Sequence, residues 1–396
     1  MIHFHQQHDS IAEYKIKLKD LKNQVMSQRL PVREIHRRAL REMTFDMAGR
    51  FCWKKVRNGL QRLRRKQMPS CPDLQTMINL LETNDFVRHN YGKLRTFDFY
   101  QGTINSNILV FANLEVIAAL PERIQIFADA TFKVCPFNMY QLIVILAEIE
   151  GSPRPIIFGI MPGKKQSMYE AFFDFIKLSV LRHGNKKRKP ISAMMDFEKA
   201  LRNAVKQVFR GIKIQDCNFH HLQALRKRAM KTEGLSTKIF KNSQHHYILK
   251  MFMRISLLPI THIDDGLDQL KRYISSMPDI SDDFQQFIIY HEKTWYEVYK
   301  KHDWSVSDAF RRTNNNIEGL NSYIKKLIPR NPSPYKFLDS LLDLAYETSS
   351  SLSSAFKELS VTKDRSKLTK KLHETLEKLR NDEISELTFL KIMAKI

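Results

Sequence analysis

Apolar residues recur along this chain in two periods. Between 124 and 161 they come as short unbroken runs rich in Ile, Val and Phe, at 124–133, 140–148 and 156–161. Pro136, Asn138 and the Gly151-Ser-Pro-Arg-Pro155 turn bound them, which predicts three strands. The connections are too short for crossover helices, so the simplest arrangement is an antiparallel meander. A helix over 167–178 follows, opened by the capping-box pair Ser167 and Glu170. The basic loop 185–190 leads to a fourth strand at 191–195, and a helix starts at Asp196. A fifth strand at 212–214 precedes Cys217 and another helix.

Outside this stretch the period is helical. Ile11, Tyr14, Ile16, Leu18 and Leu21 form a stripe among lysines, and Pro31 marks a fresh start before 32–40. In 54–66, Val56, Leu60 and Leu63 stand three and four apart, leaving Lys54, Lys55, Arg57, Arg62, Arg64, Arg65 and Lys66 for the other face of a helix. Residues 73–123 mix a short helix at 74–81 with strands near 96–100 and 108–111. The stretch 235–305 carries no strand signal. Phe252, Ile255, Leu258, Leu267, Leu270, Ile274, Phe284 and Phe287 fall at helical spacings, which predicts an all-helical insertion with its own core. Residues 334–396 continue as amphipathic helices, with a break at the serine tract 349–354. The predicted division is a basic helical region (1–95), an α/β core in two parts (96–234 and 306–345) around the insertion (235–305), and a helical C-terminal tail (346–396).

Composition sharpens this. Lys and Arg number 65 against 42 Asp and Glu, a net charge of +23 in 396 residues, and nucleic acid is the default partner for such an excess. Lys186, Lys187, Arg188 and Lys189 join the 54–66 face as candidate phosphate contacts. The four cysteines show no paired C-x-x-C spacing and read as free thiols in a reducing compartment. No apolar run approaches the length needed to span a bilayer. The start is not a signal peptide, so the expected location is intracellular, in the nucleus.

Three antiparallel strands followed by helix, strand, helix and strand is the layout of an RNase H-like mixed sheet. Asp129 alone, inside an apolar strand, would read as a strand-end cap. In that layout, however, the first and fourth strands are neighbours, so Asp129 and Asp196 can share one metal site. Glu318 opens a helix after the insertion and supplies a third carboxylate. Three converging carboxylates suit two Mg²⁺ or Mn²⁺ ions, which are hard cations that take oxygen ligands.

The motifs carrying these acids resemble the transposase domain of Mutator-like elements (MULE transposases), a DDE-type, RNase H-like family with a helical insertion. Ala128-Asp129-Ala-Thr-Phe-Lys133 with Pro136 matches the first Asp motif, although Ala130 stands where Gly is common. Met195-Asp196-Phe-Glu198-Lys-Ala200 matches the second. Arg312-Thr-Asn-Asn-Asn-Ile-Glu318-Gly-Leu-Asn321 matches the Glu motif, and Asp216-Cys217-Asn-Phe-His220-His221-Leu-Gln223 matches the C-x-x-H element. The resemblance covers roughly residues 95–345. It implies metal-dependent cleavage of DNA at transposon ends and joining of the 3′ ends to target DNA. Asp129, Asp196 and Glu318 would ligate two metal ions, and Cys217 and His220 would pack or position DNA more readily than bind zinc. His221 and the His-rich start are expected at the surface. Many relatives carry an N-terminal zinc finger, and no such Cys/His pattern occurs here. The alternative to an active enzyme is a transposase-derived DNA-binding or regulatory protein without catalysis, with a generic nuclease third. Self-association is left open.

Overall fold

The computed structural model describes residues 2–105, 107–132, 134–149, 152–216, 218–241, 243–307, 323–355 and 363–396. Its centre is a seven-stranded mixed sheet: β1 (Tyr100–Ile104), β2 (Ile108–Ala112), β3 (Arg123–Thr131), β4 (Gln141–Ile149), β5 (Ser152–Met161), β6 (Lys189–Met195) and β7 (Lys213–Asp216). The order across the sheet is β1-β2-β5-β4-β3-β6-β7. Strands β3, β4 and β5 form the expected antiparallel meander. Strands β6 and β7 then add in parallel beside β3. This mixed α/β arrangement is compatible with an RNase H-like fold. The weak strand signals before residue 112 resolve into β1 and β2, a hairpin that extends the same sheet beyond β5, and a two-stranded ribbon, Lys93–Leu94 with Phe97–Asp98.

The alternation of side chains gives the sheet two buried faces. Ile126, Ala128, Ile143, Ile145, Ala193 and Met195 face the helices Gln166–Leu178 and Lys199–Val208. Phe127, Leu142, Val144, Phe158 and Met194 face the helices Leu74–Thr83 and Pro334–Ala355. With both faces covered, unbroken apolar runs are what such strands require. A Cβ on Gly159 would stand 2.5 Å from Phe172 Cε2 and 2.6 Å from Ile143 Cγ2, so the glycine lets helix Gln166–Leu178 press onto β5. The capping box expected at Ser167 does not form. That helix begins at Gln166, has Lys165 as its N-cap without a side-chain cap bond, and Gln166 Nε2 takes up the Glu170 carboxylate at 2.7 Å.

The serine tract does not break its helix either. Pro334–Ala355 is continuous, and within it Thr348 and Ser349 bond their hydroxyls to the carbonyls of Leu344 and Ala345 at 2.8 and 3.2 Å. Ser349 also accepts the amide of buried Asn113 at 2.8 Å, which ties this helix to the end of β2.

The insertion is helical, with Leu235–Lys241, Ser243–Arg254, Ile263–Ser275 and Pro278–Glu292. Its core is shared. Leu372, Leu376, Leu379, Phe389, Leu390 and Met393, expected in a tail, are buried among Leu249, Phe252, Leu270 and Phe284. Residues 2–67 form helices Ile2–Ser27, Val32–Arg41, Phe45–Arg50 and Trp53–Gln67 around a separate small core of Leu21, Val25, Ile35, Phe51, Val56 and Leu60.

Several contacts bind the insertion to the sheet domain. Arg202 and Asp303 make a buried ion pair at 2.9 Å. Phe197, the residue after Asp196, packs on Trp295 and Tyr299 with ring centroids 4.9 and 4.8 Å away. Deeper in the same aromatic cluster His221 lies against Trp295 at 4.3 Å and Trp304 at 5.2 Å. His221 is fully buried, not at the surface as expected, because it shares a helix with buried Leu225 and Ala229 and falls on their face. Neither ring nitrogen of His221 or of His291 has a hydrogen-bond partner among the described residues.

Burial holds the His221 imidazole well below its ordinary range, with His291 adding to the effect, and burial alone pushes His291 down to about 3. In the unfolded chain both rings take up a proton as pH drops through roughly 6.5. The folded state therefore binds fewer protons, and stability present above pH 6.5 is lost as pH falls toward the folded values. We expect the thermal midpoint to drop between pH 7 and 5, at up to about 1.4 kcal/mol per pH unit for each histidine. His291→Phe should flatten that slope in a calorimetric pH series.

Candidate functional site

The parallel pairing of β3 with β6 sets Ala128 against Met195. Each is followed by an aspartate, so Asp129 and Asp196 stand at the same level on adjacent strands, whose spacing is about 4.8 Å. Phe127 and Met194, one step before those paired residues, belong to the face covered by Pro334–Ala355. Alternation directs Asp129 to that same face, at the end of the sheet where β3 and β6 finish. Asp129 is half-buried and its Oδ1 accepts the Ala130 amide at 2.8 Å. Asp196 is half-buried too, its Oδ1 accepting the Glu198 amide at 3.1 Å. Backbone donors thus orient both carboxylates.

A third acid stands in this neighbourhood, inside the second motif, where the resemblance assigns it no role. Glu198 Oε1 accepts the Tyr169 hydroxyl at 2.9 Å. Gln141 Nε2 donates to that hydroxyl at 2.9 Å and to the Gly163 carbonyl at 2.8 Å. Burial raises the Glu198 carboxyl above its ordinary range and the Asp196 charge adds to the rise, while the Tyr169 hydrogen bond and Lys164 work against it. Burial also lowers the His220 imidazole, opposed by the Asp196 carboxylate. His220 therefore stands within electrostatic reach of Asp196. A signal for Glu198 existed in the sequence, because an acid two residues after a strand-end Asp shares its turn.

Glu318 and Cys217 lie outside the described residues. Among the described residues no group of three or more His, Cys, Asp or Glu side chains is placed to hold a metal ion. Asp129 and Asp196, two hard oxygen donors side by side and already oriented, fit a divalent cation of the Mg²⁺ class.

The basic candidates divide. Lys54, Lys55, Arg57, Arg62, Arg65 and Lys66 are exposed along one face of helix Trp53–Gln67. Arg64 is not part of that face. Its guanidinium donates to the Leu30 carbonyl at 3.0 Å and lies over the Phe86 ring. Arg188 is excluded more firmly. It is 3% exposed and its guanidinium donates to the carbonyls of His183, Lys186 and Ala118 at 2.6, 3.2 and 3.1 Å. Lys186, Lys187 and Lys189 are exposed, but Lys189 opens β6 and pairs with Arg123 at the start of β3. They stand at the far end of the strands, on the order of 20 Å from the carboxylates. Among the cations at the carboxylate end are Lys164 and Lys165, both exposed just after β5, which sequence reasoning passed over. No helix among the described residues is long and apolar enough to cross a membrane.

Comparison with known families matches residues 125–224 to the MULE transposase domain. That span begins within β3 and ends inside helix Asn218–Ala229, and contains Asp129, Asp196, Glu198 and His220. Comparison with curated proteins gives no match.

The Gln141–Tyr169–Glu198 chain is buried enough for its loss to register in stability. Tyr169→Phe leaves Gln141 and Glu198 each short of a partner, and we expect it to cost about 1–3 kcal/mol in denaturant unfolding.

Proposed function

We propose that this chain, whose residues 125–224 match the MULE transposase domain, is a DDE transposase that cleaves DNA strands at transposon ends and transfers the 3′ ends to target DNA. The fold we assign is RNase H-like with a helical insertion. The observation that carries the proposal is the register of β3 with β6, which sets Asp129 beside Asp196 at the sheet end where Lys164, Lys165 and His220 also gather. A binding module has no need of paired, backbone-oriented carboxylates beside exposed lysines.

Asp129, Asp196 and Glu318 would hold two divalent ions, Mg²⁺ or Mn²⁺. Bound there, such ions activate the attacking oxygen and stabilise the leaving oxygen of a phosphodiester. The protein's own part is orientation and charge. The Ala130 and Glu198 amides fix the aspartates. Tyr169 holds Glu198, and Lys164 and Lys165 offset phosphate charge. DNA is the partner, helix Trp53–Gln67 is a second contact with its backbone, and the nucleus is where the chain would act.

Purified protein should nick duplex DNA bearing the element's inverted repeats in Mg²⁺ or Mn²⁺, and Asp196→Asn should reduce nicking to background. Salt-sensitive binding without cleavage, unchanged in Asp196→Asn, would instead establish a transposase-derived DNA-binding protein. The exposed helix face makes a separate prediction. Replacing Lys54, Lys55 and Arg57 together by Gln should weaken duplex binding whatever its sequence. The slope of log K against log salt should shrink by about 0.9 for each phosphate that is no longer neutralised, measured by anisotropy titration.

A further inference from the structure

Four of the exposed aromatic rings among the described residues stand near the sheet end that carries the carboxylates. Phe132 is 45% exposed, Phe137 75%, Tyr140 43% and Phe219 36%. Phe132 follows the last residue of β3 and Tyr140 precedes the first residue of β4, its antiparallel neighbour, so both stand at the sheet end that carries Asp129. Phe219 opens the helix after β7, at that same end, beside His220 with ring centroids 5.8 Å apart. Each such ring gives up burial free energy, and clustered apolar exposure marks an interaction site more often than chance.

The loop that holds them is firmly anchored. Val134, Cys135 and Met139 are buried at 1%, 2% and 5%, while Phe137 between them and Phe132 and Tyr140 on either side are exposed. The Met139 amide closes a turn onto the Pro136 carbonyl at 3.1 Å, and Asn138, with φ 65, reaches the Pro72 carbonyl at 3.4 Å. Phe132 and Tyr140 meet edge to face, with centroids 5.4 Å apart and planes at 77°. The two rings thus support one another without a full stack. Fixed rings lose little entropy on taking up a flat ligand.

We propose that Phe132 and Tyr140 form a stacking platform for an unpaired nucleobase of the DNA being processed, with Lys164 and Lys165 taking the flanking phosphates. The proposal rests on the transposase reading and adds to it the kind of DNA held at the reacting end. A base within a duplex has both faces covered by its neighbours, whereas an unpaired or extruded base offers a face to an aromatic ring. The positive charge beside the rings selects a polyanion over an apolar peptide. Bases at a nicked or frayed end would be held next to the phosphate that Asp129 and Asp196 address.

The test compares two fluorescein-labelled DNAs of one sequence, a blunt duplex and a fork with unpaired arms, by anisotropy in Ca²⁺. Wild-type protein should prefer the fork. Phe132→Ala and Tyr140→Ala should each weaken fork binding about ten-fold and leave duplex binding unchanged, while Phe132→Trp should keep the preference. Circular dichroism of each variant checks that it folds. No fork preference in the wild type, or equal losses on both DNAs, would overturn the platform. Nicking assays in Mg²⁺ separate the two ideas. Nicking without fork preference sinks the platform alone, and fork preference without nicking sinks the catalytic reading alone.

Discussion

The structure depends on the parallel pairing of β3 with β6. That ladder sets Ala128 against Met195 and so places Asp129 beside Asp196, although 66 residues separate them in the chain. Parallel neighbours need a crossover connection, and here β4, β5 and helix Gln166–Leu178 fill it. The side-chain period of a strand is two, so a slip of one residue would send one carboxylate to the opposite face. Register is held by what each face must bury: Ala128 and Met195 under helices Gln166–Leu178 and Lys199–Val208, Phe127 and Met194 under Pro334–Ala355.

The insertion bears on the same spot. Phe197 lies between Asp196 and Glu198 and is gripped by Trp295 and Tyr299, and the Tyr299 hydroxyl donates to the Phe197 carbonyl at 3.3 Å. Arg202 and Asp303 fasten the following helix. The turn that presents Asp196 is therefore held from the sheet by β6 and from the insertion by an aromatic clamp. Displacement of the insertion would be felt at that turn.

Much of this was legible in the residues. The meander follows from apolar runs rich in β-branched residues bounded by Pro and Gly, and the apolar stripe of 54–66 predicts which side of helix Trp53–Gln67 is buried. What the sequence hid was long-range partnership. Arg64 and Arg188 look like their basic neighbours, but the carbonyls of Leu30 and Ala118, distant in the chain, claim them. His221 reads as one more polar residue until Trp295 and Trp304 close over it. Lys164 and Lys165 carry no local signal, and only the direction of β5 puts them beside the aspartates. The serine tract 349–354 looks like a breaker, yet the helix runs on to Ala355 and Ser349 takes the buried amide of Asn113.

The shared core of the insertion has a consequence for synthesis. Helix Ser243–Arg254 is completed by partners about 140 residues later: the Tyr247 hydroxyl donates to the Lys391 carbonyl at 2.8 Å, and Arg254 to the Met393 carbonyl at 3.1 Å. Contacts this distant in sequence are slow to form, because loop closure precedes their reward. On the ribosome, the part of the insertion's core that packs on residues 372–394 stays uncovered until those residues emerge. The sheet strands, which close locally through the meander, can already be in place. The last helices of the chain thus act as the closing piece of a unit begun far upstream, and the interval before they arrive is when a nascent chain most needs a chaperone.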